Sequence, residues 1–134
     1  MSQNRNASFA PQLYIKNGVQ DIEFYTKALG ALELRRWTNE DGSLHVAELS
    51  VEGAVFQLHE APEAGSFDPG KYNGTTVVIG LFVEDVDSIM NKAMEAGATE
   101  LSPAQDYDYG YRQGRFRDPF GHEWMIQKKT MNIK

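Results

Sequence analysis

The alternation of hydrophobic and polar positions divides the chain into two halves of the same design. In Ser8 to Lys16, Phe9, Pro11, Leu13 and Ile15 alternate with Ala10, Gln12, Tyr14 and Lys16, which predicts a half-buried strand with Pro11 at an edge or bulge. Asn17 is a residue that can cap a helix, and Val19, Ile22, Tyr25 or Thr26, and Leu29 then recur at helical spacing until Gly30 supplies a stop. Three strands follow, Ala31 to Thr38, Leu44 to Val51 and Ala54 to Glu60, with turns at Asn39-Glu40-Asp41-Gly42 and Glu52-Gly53. Ala61 to Thr75 has the Pro and Gly content of a linker. The order then restarts: a strand Thr76 to Val83, a helix Val86 to Ala96 stopped by Gly97, and strands at Thr99 to Leu101, Tyr109 to Arg117 and Glu123 to Lys128. The last two are joined by Asp118-Pro119-Phe120-Gly121, in which Asp bonds its own backbone, Pro presets φ and Gly takes the positive φ.

The repeat survives direct comparison. Gly18 to Leu34 laid on Asp85 to Leu101, a shift of 67 residues, aligns Val19 with Val86, Ile22 with Ile89, Gly30 with Gly97, Ala31 with Ala98, Glu33 with Glu100 and Leu34 with Leu101. These are helix-core, helix-stop and strand-entry positions, the ones an architectural repeat keeps. A further one-residue adjustment places Gly53 on Gly121 and Gln57 on Met125. The expected architecture is therefore α+β, a single domain over residues 1–134 with one βαβββ module at 8–60, a linker at 61–75 and a second module at 76–129. Each module buries one sheet face under its helix, so two modules side by side make a curved mixed sheet with a concave ligand cavity. Alternation assigns Gln12, Tyr14, Gln57 and His59 of the first half to that cavity, joined by Trp37. From the second half come Val78, Gly80, Phe82, Glu123, Met125 and Gln127.

Composition narrows the chemistry. The chain has 134 residues and no cysteine, which excludes disulfides, thiolate metal sites and cysteine nucleophiles. A formal net charge of −6 speaks against nucleic acid as a partner, since phosphate binding needs a concentrated basic face. Met1 to Ser8 is polar with no apolar core, and no run approaches membrane-spanning length, so a cytoplasmic location without membrane contact is expected. Arg112, Arg115 and Arg117 either receive an anion or form a solvated strand face. Tyr107, Tyr109 and Tyr111 share one strand parity and suit a cavity mouth or dimer interface, next to a planar or amphipathic ligand.

Asn17-Gly-Val-Gln-Asp-Ile-Glu-Phe-Tyr-Thr-Lys-Ala-Leu-Gly30, Val83-Glu-Asp-Val-Asp87 and Gly110 to Gln127 with Asp-Pro-Phe-Gly-His-Glu-Trp resemble the vicinal oxygen chelate superfamily, which includes glyoxalase I, bleomycin-resistance proteins and extradiol dioxygenases. The resemblance runs from about Phe9 to Lys128 and implies the glyoxalase/bleomycin-resistance fold, usually as a homodimer. It also implies where a metal would sit in the family's enzymes. Those positions fall here on Ala10 or Pro11, Gln57, Val77 or Val78, and Met125, of which only Gln57 suits a hard or borderline ion. No metal and no other cofactor is therefore expected. Two functions remain. One is metal-independent binding of a small organic molecule, with Gln12, Tyr14, Trp37, Gln57, His59, Phe82, Tyr109, Tyr111 and Met125 as ligand-binding residues. The other is a lyase or isomerase, either metal-dependent or with His59 or Glu123 as catalytic base, against the plainer reading of both as solvated strand residues. His122 is expected to brace the hairpin and His45 to be exposed.

Overall fold

The computed structural model describes residues 7–62 and 68–130. The first half contains β1 (Gln12–Ile15), α1 (Glu23–Leu29), β2 (Leu32–Thr38), β3 (Leu44–Val51) and β4 (Ala54–Glu60). A short helix, α2 (Pro69–Tyr72), lies in the stretch expected to be only a linker, and residues 63–67 of that stretch lie outside the described residues. The second half contains β5 (Val78–Phe82), α3 (Val86–Glu95), β6 (Thr99–Tyr107), β7 (Tyr111–Arg117) and β8 (Glu123–Lys129). Each half forms its own four-stranded mixed sheet, ordered β1-β4-β3-β2 and β5-β8-β7-β6. In each, the first strand pairs parallel with the last and the remaining pairs are antiparallel. This is the expected α+β fold of two βαβββ repeats.

Alternation decides which face each sheet buries. Leu13, Ile15, Ala47, Leu49, Phe56 and Leu58 of the first sheet are buried, as are Phe116, Trp124 and Ile126 of the second. They join Tyr25 and Leu29 of α1 and Val86, Met90 and Ala93 of α3 in one hydrophobic core. Aromatic rings tie the halves together within it: Trp124 is 5.4 Å from Phe56 and 6.0 Å from Tyr25, and Phe24 is 5.9 Å from Phe116. Because both inner faces meet in a shared core, the two outer faces look away from each other. The residues expected to line one cavity are thus divided between two surfaces of the chain.

The start of α1 departs from expectation. The helix begins at Glu23, and Asn17 does not cap it: its side chain donates to Ala61 O at 2.8 Å and to Glu60 Oε1 at 3.3 Å. Gly18, at φ 89°, interrupts helical geometry directly after Asn17. The N-cap position falls on Ile22, which has no side-chain cap, and Asp21 just before it accepts from Glu23 N at 2.9 Å through Oδ1. At the other end Gly30 adopts the left-handed conformation, with Gly30 N bonding Thr26 O and Ala31 N bonding Tyr25 O, the expected stop. The first strand is shorter than its pattern, but Pro11 still contributes by accepting from Gln57 N at 2.8 Å.

The Asp118 turn forms as its sequence predicts. Asp118 Oδ1 accepts from Phe120 N at 2.9 Å and His122 N at 3.0 Å, and Gly121 N donates to Asp118 O. Gly121 has φ 99°, and a Cβ there would lie 2.7 Å from Pro69 Cβ. Gly121→Ala therefore combines left-handed strain with a clash against a rigid ring, and should cost about 1–3 kcal/mol in urea denaturation. An unchanged midpoint would show that α2 does not pack on this turn.

Candidate functional site

The outer face of the first sheet is built in two rows by register. Gln12, Gln57, Glu48 and Arg35 lie side by side, followed by Tyr14, His59, Val46 and Trp37. In the first row Gln57 Nε2 donates to Glu48 Oε2 at 3.2 Å. In the second, the Tyr14 and His59 rings meet edge to face at 5.5 Å, and Arg35 covers Trp37 with its guanidinium 4.6 Å from the ring centre. Trp37 is nonetheless 43% exposed. All five residues of this sheet expected at a ligand surface, Gln12, Tyr14, Trp37, Gln57 and His59, share this one face.

The outer face of the second sheet carries the others. Val78, Gly80 and Phe82 of β5 lie beside Glu123, Met125 and Gln127 of β8, which face Arg117, Arg115 and Gln113 of β7. Phe82 is 57% exposed and stands 6.1 Å from Tyr111. Tyr107, Tyr109 and Tyr111 do not lie on one strand, as their parity suggested: Tyr107 ends β6, Tyr111 begins β7 and Tyr109 sits in the turn between. The turn still gathers them: Tyr107 stacks on Tyr109 at 5.3 Å, and Tyr111 lies tilted to Tyr109 at 5.7 Å. Next to this aromatic ridge runs a polar chain. Tyr109 OH donates to Gln113 Oε1 at 2.6 Å and Gln113 Nε2 to Gln127 Oε1 at 2.8 Å. Gly80 leaves room for the Gln127 amide, whose Nε2 is 2.8 Å from where a Cβ would be.

The arginines divide between faces. Arg112, toward the helix side, pairs with Asp87 at 2.8 Å and Asp106 at 3.0 Å, which raises its pKa through hydrogen bonds to both carboxylates. Arg115 and Arg117 lie on the outer face and hold Glu123, at 2.6 and 3.7 Å. Glu123 is therefore an ion-paired residue rather than a solvated charge, and within a chain it has partners separate from those of His59.

His59 has a different neighbourhood. Its Nδ1 is 2.7 Å from Glu60 O, and its ring lies 5.3 Å from that of His45. His45 Nδ1 in turn is 2.6 Å from Glu60 Oε2, while Glu60 Oε1 accepts from Asn39 and Asn17. These bonds, that from His45 first, lower the Glu60 pKa. The pairing of exposed His45 with Glu60 is a feature that sequence alternation does not reveal, because the two residues meet only through the register of β3 on β4. A cleft of about 920 Å³ adjoins them, lined in part by Asn17, Asn39, Ser43, His45, His59 and Glu60. His122 is buried and bonds Tyr14 O at 2.7 Å through Nε2, so it braces the hairpin against β1 rather than only within itself.

Register shows which residues stand beside Gln57 and Met125 on the first strand of each half. Gln12, not Ala10 or Pro11, lies beside Gln57, and Gly80, not Val77 or Val78, lies beside Met125. The two pairs are related by a shift of 68 residues. Two carboxamides, a thioether and a missing side chain do not fit the hard or borderline ion of a metalloenzyme.

Two βαβββ repeats with strand order 1-4-3-2 in each sheet define a glyoxalase-type protein. The chain belongs to the Glyoxalase/Bleomycin resistance protein/Dioxygenase superfamily, whose model matches residues 12–126. It is 36% identical over 137 residues to an uncharacterized protein of Mycobacterium bovis, covering 99% of this chain and 90% of that one. An uncharacterized Arabidopsis thaliana protein is 28% identical over 119 residues, covering 82% of this chain and 71% of that one. Among solved structures, TioX from Micromonospora sp. ML1 superposes with a TM-score of 0.68 at 22% identity, covering 96% of this chain and 100% of that chain. The genomically encoded fosfomycin resistance protein FosX from Listeria monocytogenes gives 0.68 at 14% identity, covering 96% and 97%. At such identities the two structures share the fold. Among the described residues no helix is long and apolar enough to cross a membrane.

Proposed function

We propose that this protein is a homodimeric small-molecule binder that holds an organic ligand without a metal at the four repeat-related positions. The observation that carries this reading is the residue set itself: Gln12, Gln57, Gly80 and Met125 occupy matching places in the two parallel strand pairs. Amides and a thioether suit hydrogen bonding and apolar contact with an organic molecule, and Gly80 opens space. The exposure of Trp37, Val78, Phe82 and Tyr109 on otherwise regular sheet faces supports a second copy as the cover, with the first sheet of one copy set against the second sheet of the other. Such a pairing would bring Gln12, Tyr14, Trp37, Gln57 and His59 to the same ligand as Phe82, Tyr109, Tyr111 and Met125. A net charge of −6 favours a neutral or cationic ligand.

One observation favours a second reading, a lyase or isomerase. A backbone carbonyl only accepts, so His59 Nδ1 carries its proton toward Glu60 O and Nε2 is left with a lone pair, the form a general base needs. His59→Ala distinguishes the two in a screen of organic ligands. Under the binding reading, affinity falls about three- to tenfold, as for the loss of one hydrogen bond. Under the enzyme reading, turnover of a substrate falls by about two orders of magnitude or more with binding retained. A ligand whose affinity ignores Gln57→Ala, Phe82→Ala and His59→Ala alike would remove both readings.

A further inference from the structure

The geometry points to a second site on this chain, overlapping the first only at His59: a surface transition-metal site formed by the Nε2 atoms of His45 and His59. Both rings have the same half of their chemistry already fixed. His59 Nδ1 faces Glu60 O at 2.7 Å and His45 Nδ1 faces Glu60 Oε2 at 2.6 Å. A carbonyl and a carboxylate can only accept, so Nδ1 is the protonated nitrogen in each, and in the neutral ring Nε2 carries the lone pair. The other oxygen of that carboxylate accepts from Asn39 and Asn17, which fixes the side chain behind His45. One backbone carbonyl and one carboxylate behind a pair of imidazoles is the arrangement that orients histidine ligands and raises their basicity in metal centres.

Spacing agrees. The ring centres are 5.3 Å apart with planes at 63°. Two imidazoles bound to one tetrahedral ion through metal–nitrogen bonds of about 2.0–2.1 Å have centres about 5 Å apart. His45 and His59 are diagonal neighbours of opposite parity, since His59 pairs with Val46, and their rings meet where β3 begins and β4 ends. Both line the cleft of about 920 Å³, so an ion has access and room for further ligands. No group of three or more His, Cys, Asp or Glu residues converges to hold a metal among the described residues, and Glu60 is occupied by its own hydrogen bonds. The ion would therefore keep at least two positions for water or a small ligand. Two neutral nitrogens select a borderline divalent ion, Cu(II) before Ni(II) or Zn(II), over Mg(II) or Ca(II). The site shares His59 with the ligand surface proposed above but none of Gln12, Gln57, Gly80 and Met125, so Gln57→Ala separates the two: it should weaken organic-ligand binding and leave Cu(II) binding unchanged.

The test is a titration of protein made without a histidine tag with Cu(II), followed by electron paramagnetic resonance, and with Ni(II) and Zn(II) by calorimetry. The expected result is one ion per chain, copper hyperfine structure from two nitrogens, and no heat with Mg(II). His45→Gln and His59→Gln should each weaken Cu(II) binding at least tenfold while circular dichroism shows both variants folded. Glu60→Gln, which keeps the size but loses the charge behind His45, should weaken it less. No saturable binding, a signal without two nitrogens, or binding that survives either histidine substitution would overturn the site.

Discussion

Asp118→Ala should lower the stability of the protein by about 3–5 kcal/mol, which for a domain of 134 residues moves the thermal midpoint down by on the order of 10–15 °C. The reason is the number of donors that converge on one buried carboxylate. Oδ1 accepts from Phe120 N and His122 N, and Oδ2 accepts from Tyr25 OH at 2.6 Å and Trp124 Nε1 at 3.0 Å. Asp118 is 3% exposed, and Tyr25 and Trp124 are fully enclosed. Truncation leaves the hydroxyl and the indole N–H without an acceptor in a dry interior and loosens the turn that starts β8. Tyr25 comes from α1, so the same carboxylate joins the helix of one half to the hairpin of the other. Asp118→Asn should cost less, since one oxygen remains to accept.

The same cluster sets an alkaline limit. Burial first, then the charge of Asp118 and the hydrogen bond to it, raise the Tyr25 pKa well above the ordinary value. A tyrosine that ionises more readily when unfolded contributes stability that is intact below its unfolded pKa of about 10 and is lost as pH rises above it. Tyr25→Phe should cost about 1–2 kcal/mol at neutral pH and flatten the decline in stability above about pH 10. Equal pH slopes for the two proteins would show that another group sets the limit.

Much of this cluster was visible in the sequence. Asp-Pro-Phe-Gly fixes its own turn by local chemistry, and the alternation of β8 correctly puts Trp124 and Ile126 inside. β3 and β4 have the residue ranges their patterns predict, Leu44–Val51 and Ala54–Glu60. The failures have local causes. Asn17 was a plausible cap, but Gly18 follows it and the carbonyl of Ala61, 44 residues away, claims its amide. Pairwise meetings of this kind depend on register, and register is set by turns and bulges that periodicity does not count. β2 against β3 and β6 against β7 each contain such shifts. For that reason parity does not reveal the neighbours of His59 within the chain, His45 and Glu60. Register likewise puts Gln12, rather than Ala10 or Pro11, beside Gln57. The face assignments of Gln12, Tyr14, Gln57, His59, Phe82 and Met125 survive because a strand's two faces follow from parity alone. What parity leaves open is which faces look at each other, since the shared core of the halves turns their outer surfaces apart.

Phe82→Asp and Trp37→Asp should each dissociate the proposed dimer by at least about 100-fold while leaving the fold nearly untouched. Phe82 is 57% and Trp37 43% exposed in the single chain, so either change should alter monomer stability by no more than about 0.5 kcal/mol. Inside an interface the arithmetic differs. A carboxylate with no cationic partner must then shed its water, a penalty of several kcal/mol, and each 1.4 kcal/mol is about a factor of ten in association. At position 37 the partial partner Arg35, 4.6 Å from the ring, would soften the effect, so Phe82→Asp should be the stronger of the two. Analytical ultracentrifugation of the wild-type chain at micromolar concentration supplies the reference, and urea denaturation of each variant supplies the stability control. Ligand affinity should fall with dimer content, because the two outer faces of one chain point away from each other and neither encloses a ligand alone. A wild-type monomer, or a Phe82→Asp dimer of undiminished affinity, would show that the exposed aromatic surface serves the ligand directly and that the second copy does not cover it.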